Sequence, residues 1–184
     1  MIYLVHHGQA TDATVDAQRP LTTFGQRSVE QLAGRLVEEG ICPVEIWHSG
    51  KLRARQTGKV LLTACNPVAQ FVMVRGLQPA DPSDIVADRL AGEQREIMLI
   101  GHMPNLPRLL RRLIGRIGDK DGVEFPPHGV VAIKSNDGGV TWREQWRFET
   151  VTSCGSGCDV SRAVPTLAEH ACQWSGYGQW QVSM

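Results

Sequence analysis

The sequence predicts an α/β domain, a three-layer sandwich in which a mostly parallel central sheet carries helices on both faces. Three observations predict it. Short apolar runs of strand length alternate along the chain with stretches whose apolar residues recur every three or four positions. Three of those runs end in glycine next to polar, chemically capable residues: His6-His7-Gly8, His48-Ser49-Gly50 and Gly101-His102. The 184 residues are 42% hydrophobic and 21% charged, a composition suited to one soluble domain with a sizeable core.

The elements follow in order. Residues 2–6 are an apolar run feeding a polar loop, which reads as a buried strand. Thr23 and Gln26 have the spacing of a capping box. The helix they open carries Val29, Leu32, Ala33, Leu36 and Val37 as an amphipathic stripe, and Gly40 stops it. Val44, Ile46 and Trp47 make a second strand, and a helix runs from about Leu52 to Ala64. Phe71, Val72 and Val74 are a third strand, and Pro82 to Leu90 a short helix with Asp81 or Ser83 as cap. Ile97 to Ile100 is a fourth strand, Leu106 to Ile114 a helix, and Val130 to Ile133 a fifth strand. After the turn Asn136-Asp137-Gly138-Gly139, Val140 to Phe148 returns as a hairpin partner. The domain spans residues 1–149. Residues 150–184 hold only Asp159, Arg162 and Glu169 as charges and keep no period, so they read as a loosely packed or disordered extension.

Charge excludes some functions. Lys plus Arg and Asp plus Glu both number 19, and the net charge is zero. Nucleic-acid and anionic-membrane binders want a basic excess, so neither is expected as a partner. No apolar stretch has the length of a membrane span, and the first residues lack the basic start of a signal peptide, so a cytoplasmic location is expected. Five cysteines with scattered spacing are no disulfide framework, and Cys42 and Cys65 read as reduced thiols.

The chemistry gathers at the strand ends. In a sheet of this kind, ligands sit at the carboxyl ends of the strands. Two histidines there, with Arg53 at the start of the following helix, suggest a phosphate site. Imidazole is a nucleophile at neutral pH, and guanidinium and a helix N-terminus both favour anions. A single histidine at a strand end is more often structural, so the pattern carries weight only as a set.

Four segments supply the set. Leu4-Val5-His6-His7-Gly8-Gln9-Ala10 resembles the L-x-R-H-G-[EQ]-A signature of the histidine phosphatase superfamily, the phosphoglycerate-mutase-like fold. Arg19-Pro20-Leu21-Thr22-Thr23-Phe24-Gly25 resembles its R-x-L-T-x-x-G segment, and Ser49 to Thr57 resembles S-P-x-x-R-A-x-Q-T. Ile100 to Leu106 resembles G-H-x-P-x-L. The short span from Arg53 to His102 looks most like the small phosphohistidine phosphatase branch, the SixA type. The resemblance covers about residues 1–148.

The resemblance implies a metal-independent hydrolase without cofactor. His7 takes the nucleophile position and would form a phosphohistidine intermediate. Arg53 and His102 would bind the phosphoryl oxygens and stabilise charge, with Gly8 and Gln9 shaping the loop. The expected substrate is a phosphohistidine on a signalling protein domain. A small phosphate ester is the alternative. Ser49 reads as the cap of the Arg53 helix, and Arg55 as a solvated residue.

The chain also departs from the pattern. His6 stands where the signature has Arg, and a histidine offers no bidentate fork. Two readings follow: a slower or more acid-dependent phosphatase, or a phosphate-binding pseudophosphatase. Many members use a Glu after the third strand as general acid, but here Gln78 cannot serve and Asp81 is the remaining candidate. Gly50 reads as loosening the Arg53 helix, and His128, just before the fifth strand, either lines the pocket or, the favoured reading, is an exposed loop histidine. Cys154, Cys158, His170 and Cys172 offer four zinc ligands, but at poor spacing.

Overall fold

The computed structural model describes residues 1–115 and 124–150. The elements run β1 (Ile2–His6), α1 (Thr23–Glu38), β2 (Glu45–His48), α2 (Leu52–Cys65), β3 (Gln70–Met73), α3 (Asp84–Leu90), β4 (Ile97–Gly101), α4 (Asn105–Leu113), β5 (Val130–Lys134) and β6 (Arg143–Phe148). They form one sheet in the order β3-β2-β4-β1-β5-β6. β3, β2, β4 and β1 pair in parallel. β5 pairs antiparallel with both β1 and β6. β5 is therefore the one strand against the common direction, and its amino end lies at the edge where β1, β2 and β4 finish.

Alternation sorts each strand onto two faces. Ile2, Leu4, Trp47, Ile97, Leu99, Val131 and Ile133 pack against Val86 and Leu90 of α3 and Leu106, Leu109 and Leu110 of α4. Tyr3, Val5, Ile46, Met98, Ile100, Val130 and Ala132 pack against Val29, Leu32 and Leu36 of α1 and Ala54 and Leu61 of α2. The three expected layers result. β1 and β4 are buried along their whole length, which is why both read as unbroken apolar runs.

Several boundaries differ from the sequence reading. The cap of α1 is Thr22, whose side chain accepts from the Gly25 amide at 2.9 Å. Gln26 instead pairs with Glu30. α3 begins at Asp84 after Ser83, because Asp81 is committed elsewhere: its Oδ2 accepts from the Gly76 and Gln78 amides at 2.9 and 3.0 Å and closes that loop. β6 starts only at Arg143, since Asp137 accepts from the amides of Val140 and Thr141 and widens the turn. Cys65 is free and buried, while Cys42, expected as a second reduced thiol, is disulfide-bonded. The extension, with Cys154, Cys158, His170 and Cys172, lies outside the described residues. No helix among the described residues is long and apolar enough to cross a membrane.

Candidate active site

A cavity of about 400 Å³ opens at the carboxyl edge of the sheet. His6, His7, Gln9, Arg53 and His102 line it, as the sequence led us to expect. Ala10, Arg19, Pro79, Met103 and His128 complete the wall. Asp81 does not reach it, and no carboxylate among the described residues lines it.

His7 directly follows β1 and is buried. Its Nδ1 lies 2.7 Å from the Gly8 carbonyl. A carbonyl only accepts, so Nδ1 carries the proton and Nε2 keeps its lone pair. That lone pair accepts from the Arg53 Nε–H at 3.0 Å. Burial, the largest cause, pushes the His7 pKa down to about 3, so the ring is neutral at physiological pH. The loop behind it is anchored by Thr57, which accepts from the Gly8 amide at 3.0 Å and donates to the Arg53 carbonyl at 2.8 Å. A Cβ at Gly8 would sit 2.6 Å from Val29 Cγ2, so glycine is needed here for space.

Arg53 lies in the first turn of α2 and is buried; that burial lowers its pKa. Gly50 sets its approach. The backbone there is left-handed, at φ +86°, and a side chain would strike Met73 Sδ at 2.7 Å. Glycine fixes the entry to α2 rather than loosening it. Ser49 does not cap the helix; the cap position is Lys51, with no side-chain bond. Ser49 Oγ instead pairs with His102 Nε2 at 2.6 Å. His102 is 1% exposed, and its Nδ1 has no partner among the described residues. Burial pushes its pKa down to about 3, with the charges of Arg53, Lys51 and Arg19 acting in the same direction. Gln9 Oε1 accepts from Thr22 Oγ, which ties the nucleophile loop to the start of α1. Arg55 is exposed, as read.

Two strand-end assignments change. His48 is buried and turned away from the cavity, with Nδ1 accepting from the Gly50 amide and its ring against Phe71. His128 is not an exposed loop residue. Its ring stacks on His6 at 4.8 Å with 7° between planes, and its Nδ1 lies 2.6 Å from the His7 carbonyl. Its amide donates to His6 Nδ1 at 2.9 Å. The sequence placed His128 just before the fifth strand, but its contacts with His6 and His7 depend on the direction of β5, which was not legible. Arg19 was also missed as a pocket residue, although its segment was recognised. It is half-buried, holds a left-handed φ of +53°, and donates through Nε to the Thr11 carbonyl.

His6, His7 and His128 each bring one ring nitrogen within 4.8 Å of the others, which resembles a metal-ligand set. The bonding opposes that use. Arg53 holds the free nitrogen of His7, and His6 has its accepting nitrogen engaged by the His128 amide. Among the described residues two guanidiniums and no carboxylate line the wall, a field that favours an anion.

No protein-family model matches the chain. It is 34% identical over 143 residues to an uncharacterized protein of Picosynechococcus sp., a match covering 73% of this chain and 84% of that one. Among solved structures it resembles the protein histidine phosphatase SixA complexed with tungstate, with a TM-score of 0.71, 22% identity, and coverage of 80% of this chain and 96% of that one. It also resembles SixA of Agrobacterium tumefaciens, with a TM-score of 0.66, 23% identity, and coverage of 80% and 96%. By these likenesses the chain has the fold of the SixA histidine phosphatases, in its short form, and His7, Arg53 and His102 meet in its cavity.

Proposed function

We propose that the protein is a metal-independent phosphatase that works through a phosphohistidine intermediate on His7 and acts on protein phosphohistidine. The tautomer of His7 carries this reading: Nδ1 is bound to the Gly8 carbonyl, so the lone pair of Nε2 is the one available to attack. Arg53 Nε–H stands against that nitrogen and passes to a phosphoryl oxygen when substrate enters. His102, buried beside it and lacking a partner at Nδ1, is a further group for the phosphoryl oxygens, and Arg19 supplies a second positive charge.

Nε2 of His7 forms a bond to phosphorus as the bond from phosphorus to the leaving atom breaks. Water then attacks phosphorus, the bond to Nε2 breaks, and inorganic phosphate departs with His7 neutral again. Among the described residues the wall holds no carboxylic acid to protonate a leaving group. An alkoxide needs that proton. A phosphoimidazole already protonated on its far nitrogen leaves as neutral imidazole and needs none. The site therefore favours phosphohistidine over alkyl phosphates. The substrate-bearing partner is a phosphorylated protein domain, with small phosphate esters as the weaker class.

The test is phosphate release from a phosphohistidine-bearing protein domain, from p-nitrophenyl phosphate, whose leaving group needs no proton, and from an alkyl phosphate. Wild type turns over the first two much faster than the third, and His7→Ala loses at least about 10³-fold. Equal rates on the alkyl phosphate would remove the phosphohistidine preference. Silence of wild type with activity in His6→Arg would leave phosphate binding, without turnover, as the function.

A further inference from the structure

The signature arginine is replaced by His6, and one residue outside every recognised motif answers that change. β5 runs against β1, so the segment entering β5 meets the end of β1. This places His128 on both His6 and His7 at once. We propose that His128 is a positioning residue for phosphate capture: its amide fixes His6 as a neutral N–H donor to the cavity, and its side chain clamps the carbonyl of the nucleophile. The proposal rests on the reading of the cavity as a phosphate site.

The chemistry follows from donors and acceptors. A backbone N–H can only donate, so the His6 Nδ1 facing it must present a lone pair. The proton of neutral His6 is then on Nε2. Burial, with the charges of His7, His128 and Arg53 acting in the same direction, pushes the His6 pKa down to about 3, so a doubly protonated ring does not compete near neutrality. Were His6 free to take the other tautomer, it would turn a lone pair toward the phosphoryl oxygens and repel them. The stacked His128 ring holds the plane of His6. The His128 Nδ1–H bond to the His7 carbonyl, at 2.6 Å, ties the same clamp to the nucleophile. His128 does this from a left-handed backbone with φ +56°, a conformation that is strained for a non-glycine residue. The pair thus replaces a guanidinium fork with one oriented neutral donor.

The experiment is binding of inorganic phosphate by calorimetry, together with kcat and KM, for wild type, His128→Gly and His128→Asn, each alone and with His6→Arg. Glycine accepts the left-handed backbone and keeps the amide that meets His6 Nδ1, but lacks the stacked ring and the side-chain donor, whereas asparagine keeps a side-chain N–H for the His7 carbonyl. His128→Gly is expected to weaken phosphate binding about tenfold and to raise KM more than it lowers kcat, with His128→Asn falling between it and wild type. In the His6→Arg background the same glycine change is expected to alter affinity only about two- to threefold, since arginine has no imidazole plane for the His128 ring to hold and only the clamp on the His7 carbonyl is lost. Equal losses in both backgrounds would make His128 a general structural residue and overturn the proposal. Phosphate binding that is unchanged in His128→Gly alone would also overturn it while leaving the phosphatase reading intact. Absence of phosphate binding by wild type overturns that reading, and this one with it.

Discussion

At the scale of single residues, the site works by removing choices from imidazoles. His7 has one nitrogen tied to Gly8 and His6 has one tied to the His128 amide. Both rings are neutral, so under the proposed function the positive charge for phosphate is that of Arg53 and Arg19. Arg19→Ala should therefore weaken inorganic phosphate binding by about 10-fold or more, with little change in thermal stability, as measured by calorimetry beside a melting curve. The same neutrality sets the pH profile. His7 must be unprotonated to attack, and its pKa lies at about 3. The acid limb of kcat/KM should be missing near pH 6.5, the ordinary histidine value, and rates on p-nitrophenyl phosphate should hold down to about pH 5. A limb centred near 6.5 that disappears in no other variant would show that the nucleophile is solvated.

At the scale of elements, the ends matter more than the bodies. Thr57 sits one turn into α2, wholly buried, and couples the Arg53 carbonyl to the Gly8 amide. Thr57→Val keeps the shape and strands that amide, so it should cost about 1–3 kcal/mol in urea unfolding and lower kcat as well. The entry to α2 gives a second case. Gly50→Ala meets both a left-handed backbone and Met73, and should destabilise by about 1–2 kcal/mol. Full stability in that variant would mean that the turn has another conformation of equal energy. Ser49 and Thr22 show where sequence reading of helix ends misleads. Both are cap-type residues near a helix start, yet Thr22 caps α1 and Ser49 serves His102. Which hydroxyl caps depends on where the strand before it delivers the chain.

At the scale of the whole molecule, the cluster of buried neutral histidines makes stability depend on pH. His6, His7 and His102 each drop from 6.5 to about 3, mainly through burial. Between those values the unfolded chain binds protons that the folded chain does not. Stability is then fully present above about pH 6.5 and is lost as pH falls toward 3, by at most about 1.4 kcal/mol per pH unit for each histidine. Melting curves from pH 7.5 to 5 should show Tm falling by several degrees, and inorganic phosphate, by binding only the folded state, should raise Tm at neutral pH. A flat Tm across that range would contradict the burial of these rings.

The sequence by itself determined the layers, the order of strands and helices, and the convergence of His7, Arg53 and His102. Each of these depends on local information: apolar runs of strand length, stripes of helical period, and glycine-marked strand ends that a parallel sheet collects at one edge. What only the tertiary structure decided was the direction of β5 and the partner of each side chain. A strand pattern has the same period in either direction, so nothing in Val130 to Ile133 announced that His128 would enter at the catalytic edge. Nor does a sequence state which acceptor meets which donor. The tautomers of His6 and His7, the diversion of Ser49 to His102 and the loss of Asp81 to its own loop are set by distances of 2.6 to 3.0 Å across segments far apart in the chain or folded back on themselves.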